Sequence, residues 1–559
     1  MTLARWILVI AVGGIVCWHA RDAFAQANRL LPTDDAAYGT IERLQRRGHL
    51  LELNPTAIPY RFGEIARAVA LADDRRLNSL ERRWLDLLGR RLHLDEWYQG
   101  ERRRSHSSRS GDRRDTAKSK SGRSVPWAGR SDTESTDSAR FTGGAEFVIG
   151  SRFTDHQTLE PIRPYSDSLR AYPWATLRLW LDAGPAIAEI GPRSDFFYND
   201  DPMGLDVALR LGARSDNSYA GVNSRYASAY LGRFKQHWSL PGSDGVLISD
   251  NPLSYDQIAL RLGVERLSVR VILGELDSVT EDGRFTGRVA DSNELEGNFR
   301  RFLSAHRWDW RPTKRFSMAF MESAIYSDEN SGLSIKYLNP VHPFIFLIDN
   351  RPKNDENNGF VGGLLWLQTG RWTWHGQIAM DDFDALNLSE RASFALTGSV
   401  VRAAGRFDAG GTLTMVATRT YNTDQPPGRY MYLLGGLGTQ FSDYIQAGVF
   451  ADVYADDLLV GLQFTPRVDI LAQGEIDFRD DIIVSQADLG TILEGTVERT
   501  VRPSLQLYYQ SSPWWWVRAD GGVNFTENVD NMEGASETRI AGTLSVGLTL
   551  TIQRSARDW

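Results

Sequence analysis

Ser304 and His306 stand two residues apart, as do His237 and Ser239, and a serine beside a histidine is the beginning of a nucleophilic hydrolase site. Such sites are defined by geometry across the fold, and no nucleophile-elbow motif accompanies either pair. Wall or loop residues making local hydrogen bonds account for both pairs. Acidic clusters at Asp381, Asp382 and Asp384, at Asp480 and Asp481, and at Asp355 and Glu356 beside Asn354, Asn357 and Asn358 offer hard oxygen ligands of the kind that hold Ca²⁺. None has the EF-hand spacing, and a chain with 71 acidic residues supplies such groupings in ordinary solvated loops. The protein is read as a non-enzyme, with no catalytic residue, metal or cofactor assigned.

A third chemistry fits better. Carbohydrate recognition needs flat aromatic faces for sugar rings and planar amides for hydroxyl groups, and the stretch 327–359 carries Tyr337, Asn339, His342, Phe344, Asn350, Asn354 and Asn357. The candidate saccharide contacts are Trp238, Tyr337, Asn339, His342 and Asn350. The same stretch, with two prolines and several large apolar residues, also suits a segment that folds inward and acts as a plug.

Three kinds of sequence must position these residues. From Leu30 to about Tyr98 the apolar spacing is helical, in Tyr38, Ile41 and Leu44, then Phe62, Ile65 and Val69, then Leu80, Trp84, Leu87 and Leu88. Asn78, three residues before Glu81, is suited to cap the third helix. Between Gly100 and Ala139 hydrophobic residues nearly vanish, and Arg102, Arg103, Arg104, Arg113, Arg114, Lys118 and Lys120 dominate. Such a segment buries too little apolar surface to offset its ordering entropy and reads as a disordered basic linker. From Arg140 onward the period becomes two: Leu544, Val546, Leu548, Leu550 and Ile552 alternate with Thr543, Ser545, Gly547, Thr549 and Thr551. Leu177, Leu179 and Leu181 against Arg178, Trp180 and Asp182 repeat the pattern, as do Leu458, Val460, Leu462 and Phe464 with less contrast.

Alternation alone does not separate a soluble sandwich from a membrane barrel, but connection lengths do. Short connections at 264–266, 311–313, 369–371, 403–405 and 511–513 alternate with long ones at 235–254, 277–298, 327–359, 381–390, 420–429, 479–497 and 526–537. That is the rhythm of an outer-membrane barrel with periplasmic turns and extracellular loops, whose apolar face meets lipid and whose lumen is polar. In that reading Leu548, near the middle of the final strand, faces lipid and Thr549 faces the lumen. Trp308, Trp310, Trp372, Trp374 and Trp514 to Trp516 fall near strand ends and suit the aromatic girdles.

Composition agrees. With 24 % charged residues, and outside the extreme N-terminus no apolar stretch long enough for a membrane-spanning helix, insertion by helices is excluded. A formal charge of -8 gives no reason to expect nucleic acid as a partner. Arg5, the apolar run Trp6 to Trp18 and Ala23-Phe24-Ala25 before Gln26 have the form of a cleaved secretory signal, which contains Cys17, the single cysteine. The expected organisation is a signal peptide over 1–25, a periplasmic helical bundle over 26–99, a disordered basic linker over 100–139 and an outer-membrane β-barrel over 140–559.

Several segments resemble the Wzi family of outer-membrane capsule assembly proteins. In the helical region they are Tyr38 to Leu44, Gly48 and Pro59 to Ala66. In the strand region they are Gly232 to Trp238, Ser249 to Asp256, Ala305 to Arg307, Glu322 to Tyr326, Tyr337 to Phe344 and Asp381 to Phe383. The resemblance covers most of the chain after the signal, except the linker 100–139. It implies an all-β transmembrane barrel of about 18 antiparallel strands with a small N-terminal α-helical bundle. Implied with it is a non-catalytic role in assembling or tethering capsular or extracellular polysaccharide. Outer-membrane lipids are expected partners of such a barrel, and polysaccharide-export machinery in the periplasm is a further candidate partner. The alternative is an outer-membrane porin or transport channel, because a barrel this wide conducts unless its lumen is filled.

Overall fold

A computed structural model of the chain describes residues 27–73, 75–93, 141–156, 160–163, 168–201, 213–280, 299–328, 334, 337, 339–344, 357–381, 393–423, 426–455, 459, 461–479 and 491–555. The linker and the signal segment lie outside them.

The three helices fall where the apolar spacing puts them: α1 Ala37–Arg46, α2 Phe62–Ala70 and α3 Ser79–Arg91. The Asn78 side chain accepts from the Glu81 amide at 2.9 Å and the Glu81 carboxylate accepts from the Asn78 amide at 2.9 Å, the reciprocal cap that the sequence suggests. Tyr38, Ile41, Leu44, Ile65, Val69, Trp84 and Leu88 form one buried core. Leu87 is only half-buried, and Leu85 takes the inward position.

The rest of the described chain is a sheet closed on itself. Its strands are β1 Phe141–Thr154, β2 Arg170–Ala183, β3 Ala186–Ile190 continued by Pro192–Asp195, β4 Ala213–Ser215 continued by Ser218–Asn223, β5 Ala227–Arg233 and β6 Asp256–Gly263. Then follow β7 Leu267–Val279, β8 Phe299–Thr313, β9 Phe316–Asp328, β10 Asn357–Thr369, β11 Trp372–Asp381 and β12 Ser393–Ala404. The circuit ends with β13 Phe407–Val416, β14 Tyr444–Tyr454, β15 Leu462–Gln473, β16 Glu498–Ser512, β17 Trp515–Glu527 and β18 Ser536–Ser555. Each strand pairs antiparallel with its neighbour in sequence, and β18 returns to β1 with Leu548 opposite Ile149. Closure at 18 strands leaves no sheet edge to meet lipid with unpaired backbone groups.

Short connections at 184–185, 224–226, 264–266, 314–315, 370–371, 405–406, 455–461 and 513–514 all leave one end of the barrel, and the long ones leave the other. The alternation read from the sequence is thus the observed one, although the connection expected at 420–429 runs from 417 to 443. Both ends of the barrel sequence and the helices lie at the short-turn end, where Arg47 bonds the carbonyl oxygen of Gly405 in a tight turn.

Side-chain polarity follows the membrane pattern. Leu177, Leu179, Leu181, Leu544, Leu548, Leu550 and Ile552 face outward and exposed, while Thr176, Arg178, Trp180 and Asp182 are buried on the inner face. The stretch 458–464 fits less well: β15 starts at Leu462, which is buried, and Leu458 and Val460 lie outside the described residues. Exposed Trp310, Trp372, Trp374, Trp514 and Trp515 form an aromatic belt near the short-turn end, but Trp516 points into the lumen.

Register also moves the midplane. Leu548 lies opposite Trp515 of the belt, whereas Leu544, opposite Ala519 and Phe153, is further from the turns. Leu544→Arg is therefore expected to cost roughly 2–4 kcal/mol in folding titrations into lipid vesicles, and Leu548→Arg only about 0–1 kcal/mol. Thr549→Arg, on the lumenal face, should cost less than Leu544→Arg; an equal loss at 544 and 549 would mean the barrel has been read inside out.

Candidate functional site: the barrel lumen

An 18-stranded barrel is too wide for wall side chains to fill. Here the chain itself enters from both ends. At the short-turn end, residues 28–31 run along the inner wall. The Arg29 guanidinium bonds Glu189 at 2.8 Å, lies 3.5 Å from Glu146 and stacks over Trp180 at 4.0 Å. The Leu30 amide donates to the Tyr219 hydroxyl at 2.8 Å, and the Tyr230 hydroxyl donates to the Asn28 carbonyl at 2.9 Å.

The helices add a ring of charge pairs. Arg47 makes two bonds to Asp408 at 2.6 and 2.9 Å, Arg46 bonds Asp452 at 3.2 Å, and Lys314 pairs with Glu52 at 2.7 Å. Arg61 links Glu64 at the start of α2 to Asn223 on β4, at 2.7 and 2.9 Å. Burial alone would raise the Glu64 carboxyl, but the Arg61 charge and hydrogen bonds hold it down at about 2. Except for the exposed Lys314, these charges are partly or fully buried, so each depends on its partner more than a surface pair would.

From the long-loop end two connections fold into the lumen. His237 of segment 234–255 and Ile58 of the helical region exchange backbone bonds at 3.0 and 3.1 Å, so the two inserted parts meet. Trp238, Val246, Leu247 and Ile248 pack against Tyr421, Tyr430 and Met431 of segment 417–443 and against wall residues such as Leu303, Met321 and Phe360. Tyr421 and Tyr430 stack at 5.6 Å, and their hydroxyls donate to the carbonyls of Val246 and Leu247 at 2.6 and 2.8 Å. The Arg301 guanidinium, fully buried, donates to the Pro427 carbonyl at 2.7 Å and pairs with Asp277 at 3.0 Å. The barrel therefore holds an apolar core shared between the inserted segments and an apolar patch of the wall.

The candidate saccharide contacts separate accordingly. Trp238 is 1 % exposed within this core, and Tyr337 is 0 % exposed, stacked on Tyr326 at 4.3 Å. Neither ring offers a free face to a sugar, because each is used to pack an inserted segment against the wall. Asn339 is exposed, His342 is half-buried, and Asn350 lies outside the described residues. The Ser–His pairs are structural: Ser304 donates to the Tyr337 carbonyl at 2.7 Å, and the His306 ring lies 3.0 Å from the same oxygen and 2.8 Å from Glu322, all fully buried. His237 contacts the Leu240 carbonyl and Asp250, while Ser239 donates to the Asp244 carbonyl. Among the acidic clusters, the buried Asp381 accepts from the Tyr421 amide at 2.7 Å; Asp382, Asp384, Asp480, Asp481, Asp355 and Glu356 lie outside the described residues.

One space is left unfilled. A cavity of about 460 Å³ lies between the helical region and the wall of β16, β17, β18, β1 and β2. Register aligns its wall in rows: Trp174, Gly150, Gly547 and Trp516 lie side by side, and the next row is Tyr172, Arg152, Ser545, Arg518 and Tyr508. A Cβ at Gly150 would strike the Trp174 ring at 2.5 Å and one at Gly547 the Trp516 ring at 2.6 Å, so each indole lies over a glycine. Nothing in the linear sequence marks these residues for binding except two glycines, Gly150 and Gly547, at inward positions that register sets opposite tryptophans.

Architecture and lumen define the chain as a transmembrane β-barrel of the outer-membrane type. No protein-family profile matches the sequence, and no curated protein matches it either. Among solved structures it is similar to Wzi of Escherichia coli, described as an outer-membrane protein involved in group 1 capsule assembly and a carbohydrate-binding β-barrel. The TM-score is 0.55 at 12 % identity, over 93 % of this chain and 99 % of that one. It also matches Pseudomonas aeruginosa OpdQ, with a TM-score of 0.41 at 13 % identity over 74 % of this chain and 98 % of that one. For OpdK of the same organism the TM-score is 0.41 at 12 % identity, over 74 % and 99 %. The first of these likenesses is one of fold: a Wzi-like barrel with N-terminal helices.

The filled lumen has an electrical consequence. Purified protein in planar bilayers is expected to show no steady open channel, and replacing 239–249 by a short glycine–serine linker should produce one. Large steady conductance from the unaltered protein would show that the inserted segments do not seal the barrel.

Proposed function

We propose that this protein is a non-catalytic outer-membrane barrel that helps assemble or hold capsular or extracellular polysaccharide at the cell surface. The observation that carries the reading is the packing of segments 234–255 and 417–443 into the lumen with the helical region beneath them, an arrangement suited to holding rather than passing solutes. In this reading the short turns, both barrel ends and the helical bundle 26–99 face the periplasm, after removal of the signal peptide 1–25, and the long connections face outward. The basic linker 100–139 is then a tether on the periplasmic side, where export machinery is a natural partner. The similarity to a carbohydrate-binding barrel supports the choice of ligand. Asn339 and His342 remain as candidate contacts on the outer side, with Asn350 beside them in sequence. A transport channel is the second reading, and the tyrosine stack through the lumen argues against it.

Deletion of the gene tests the proposal. The expected result is that total polysaccharide is little changed while the cell-bound share falls and the released share rises, with re-expression restoring retention. Unchanged retention in the deletion strain would refute the tethering role.

A further inference from the structure

Resting on that reading, the structure assigns a ligand class to the lumenal cavity: we propose that the wall formed by Trp516, Arg518 and Arg152 binds a carboxylate-bearing sugar unit of an acidic polysaccharide.

The cavity is lined by six arginines, and four of them are paired. Arg29 is held by Glu189 and Glu146, Arg178 by Glu146 at 2.5 Å, Arg91 by Asp35 at 3.0 Å, and Arg193 by Asp195 at 2.7 Å with Asp34 at 3.2 Å. Asp520, the remaining acid on the wall, is bonded by Arg502. Arg152 and Arg518 stand apart: among the described residues neither has a carboxylate within ion-pair distance. Rings lie nearest, Phe197 at 4.9 Å from Arg152 and Tyr508 at 6.0 Å from Arg518, and Asp195, which pairs with Arg193, acts on Arg152 only from beyond ion-pair distance. Among the described residues, one terminal nitrogen of Arg152 is buried without a hydrogen-bond partner. A guanidinium left in that condition is costly, and an anion in the cavity would satisfy it.

Register makes the two arginines a pair. Arg152 and Arg518 both lie opposite Ser545, one on each side, which sets their Cα atoms about 10 Å apart across two strand spacings. In the structure Arg152 leans towards Phe197 and Arg518 towards Tyr508, so the two guanidinium groups flank the Ser545 hydroxyl from opposite sides, and a carboxylate at Ser545 is shared by both when the two flexible side chains turn inward. Trp516 lies in the next row, about 7 Å along the strand. Its ring covers Gly547 and borders the cavity, offering a platform for a pyranose face. A sugar ring on Trp516 brings the carboxylate on its C5 into the arginine row. A neutral sugar would leave both cations unanswered, so the wall selects for acid. The volume of about 460 Å³ accommodates a short saccharide segment, and the lining reaches Pro161 in the connection between β1 and β2, on the long-loop side.

The test uses the purified full-length protein in detergent, titrated with a hexamer of galacturonic acid and, in parallel, with neutral maltohexaose. The acidic hexamer is expected to bind at least about ten-fold more tightly, and more weakly as salt rises. Arg518→Gln and Arg152→Gln should each weaken it by about ten-fold, and Trp516→Ala should quench the advantage further, while Asn339→Ala leaves it unchanged. Unheated gel mobility reports whether each variant is folded, and Arg518, exposed in the lumen, carries the test if Arg152→Gln does not fold. Equal binding of the two hexamers, no binding of the acidic one, or affinity unmoved by both arginine variants would overturn the inference. Any of those results alongside lost retention on gene deletion removes the acidic site and leaves the tethering reading standing. Arginine-dependent binding with unchanged retention does the opposite.

Discussion

The width of the barrel governs the rest of the structure. Eighteen strands pair around a closed ring and so present no open sheet edge to the membrane, but the closed sheet encloses a space that its own inward side chains do not fill. That space is either left to water or occupied by the chain. Here it is occupied, and the demands of occupation explain the composition of the inner wall. Polar and charged wall residues must meet inserted backbone, so Arg301 and Arg311 donate to loop and helical-region carbonyls, and Arg307 grips the Thr56 carbonyl and hydroxyl. Where inserted side chains are apolar, the wall answers with Leu303, Ala305, Met321 and Leu364.

The helical region shows the same dependence from the other side. Its core is small, and its outer surface is arginine-rich; Arg29, Arg46, Arg47 and Arg61 all find partners on strands rather than only on other helices. Trp84 packs edge-on against Tyr454 at 4.7 Å, so even its hydrophobic core is completed by β14. The bundle is thus a stopper held by the barrel. The filling is uneven: the apolar plug presses against the β6–β15 side, and the cavity remains on the β16–β2 side, where the wall is rich in Thr, Ser, Gly and Arg.

Much of the architecture was legible because it rests on local periodicity. The two-residue alternation at 543–552 determined which face meets lipid, the short and long connections determined which end carries the turns, and Asn78 with Glu81 marked the third helix. What was not legible depends on register and on contacts between distant segments. Trp238 and Tyr337 look like binding aromatics in a linear sequence, since nothing local distinguishes a ring that stacks on a sugar from one that stacks on Tyr326. Leu548 could be put on the outer face by parity, but only its pairing with Trp515 reveals its depth. Likewise Arg152 and Arg518, separated by 366 positions, become a pair only when the barrel closes through β18.

The most direct test of a lumen packed with its own chain is chemical protection of a residue inside it. The sole cysteine of the sequence is Cys17, in the expected signal segment, so single cysteines can be introduced into an otherwise unreactive mature protein. Val246→Cys, at a fully buried position of the plug, should resist a membrane-impermeant maleimide in intact outer membranes and react only after unfolding, whereas Asn339→Cys, at an exposed position, should react at once. Rapid labelling of Cys at position 246 in the native membrane would contradict the account, because it would mean that segment 234–255 lies in water and the barrel is open.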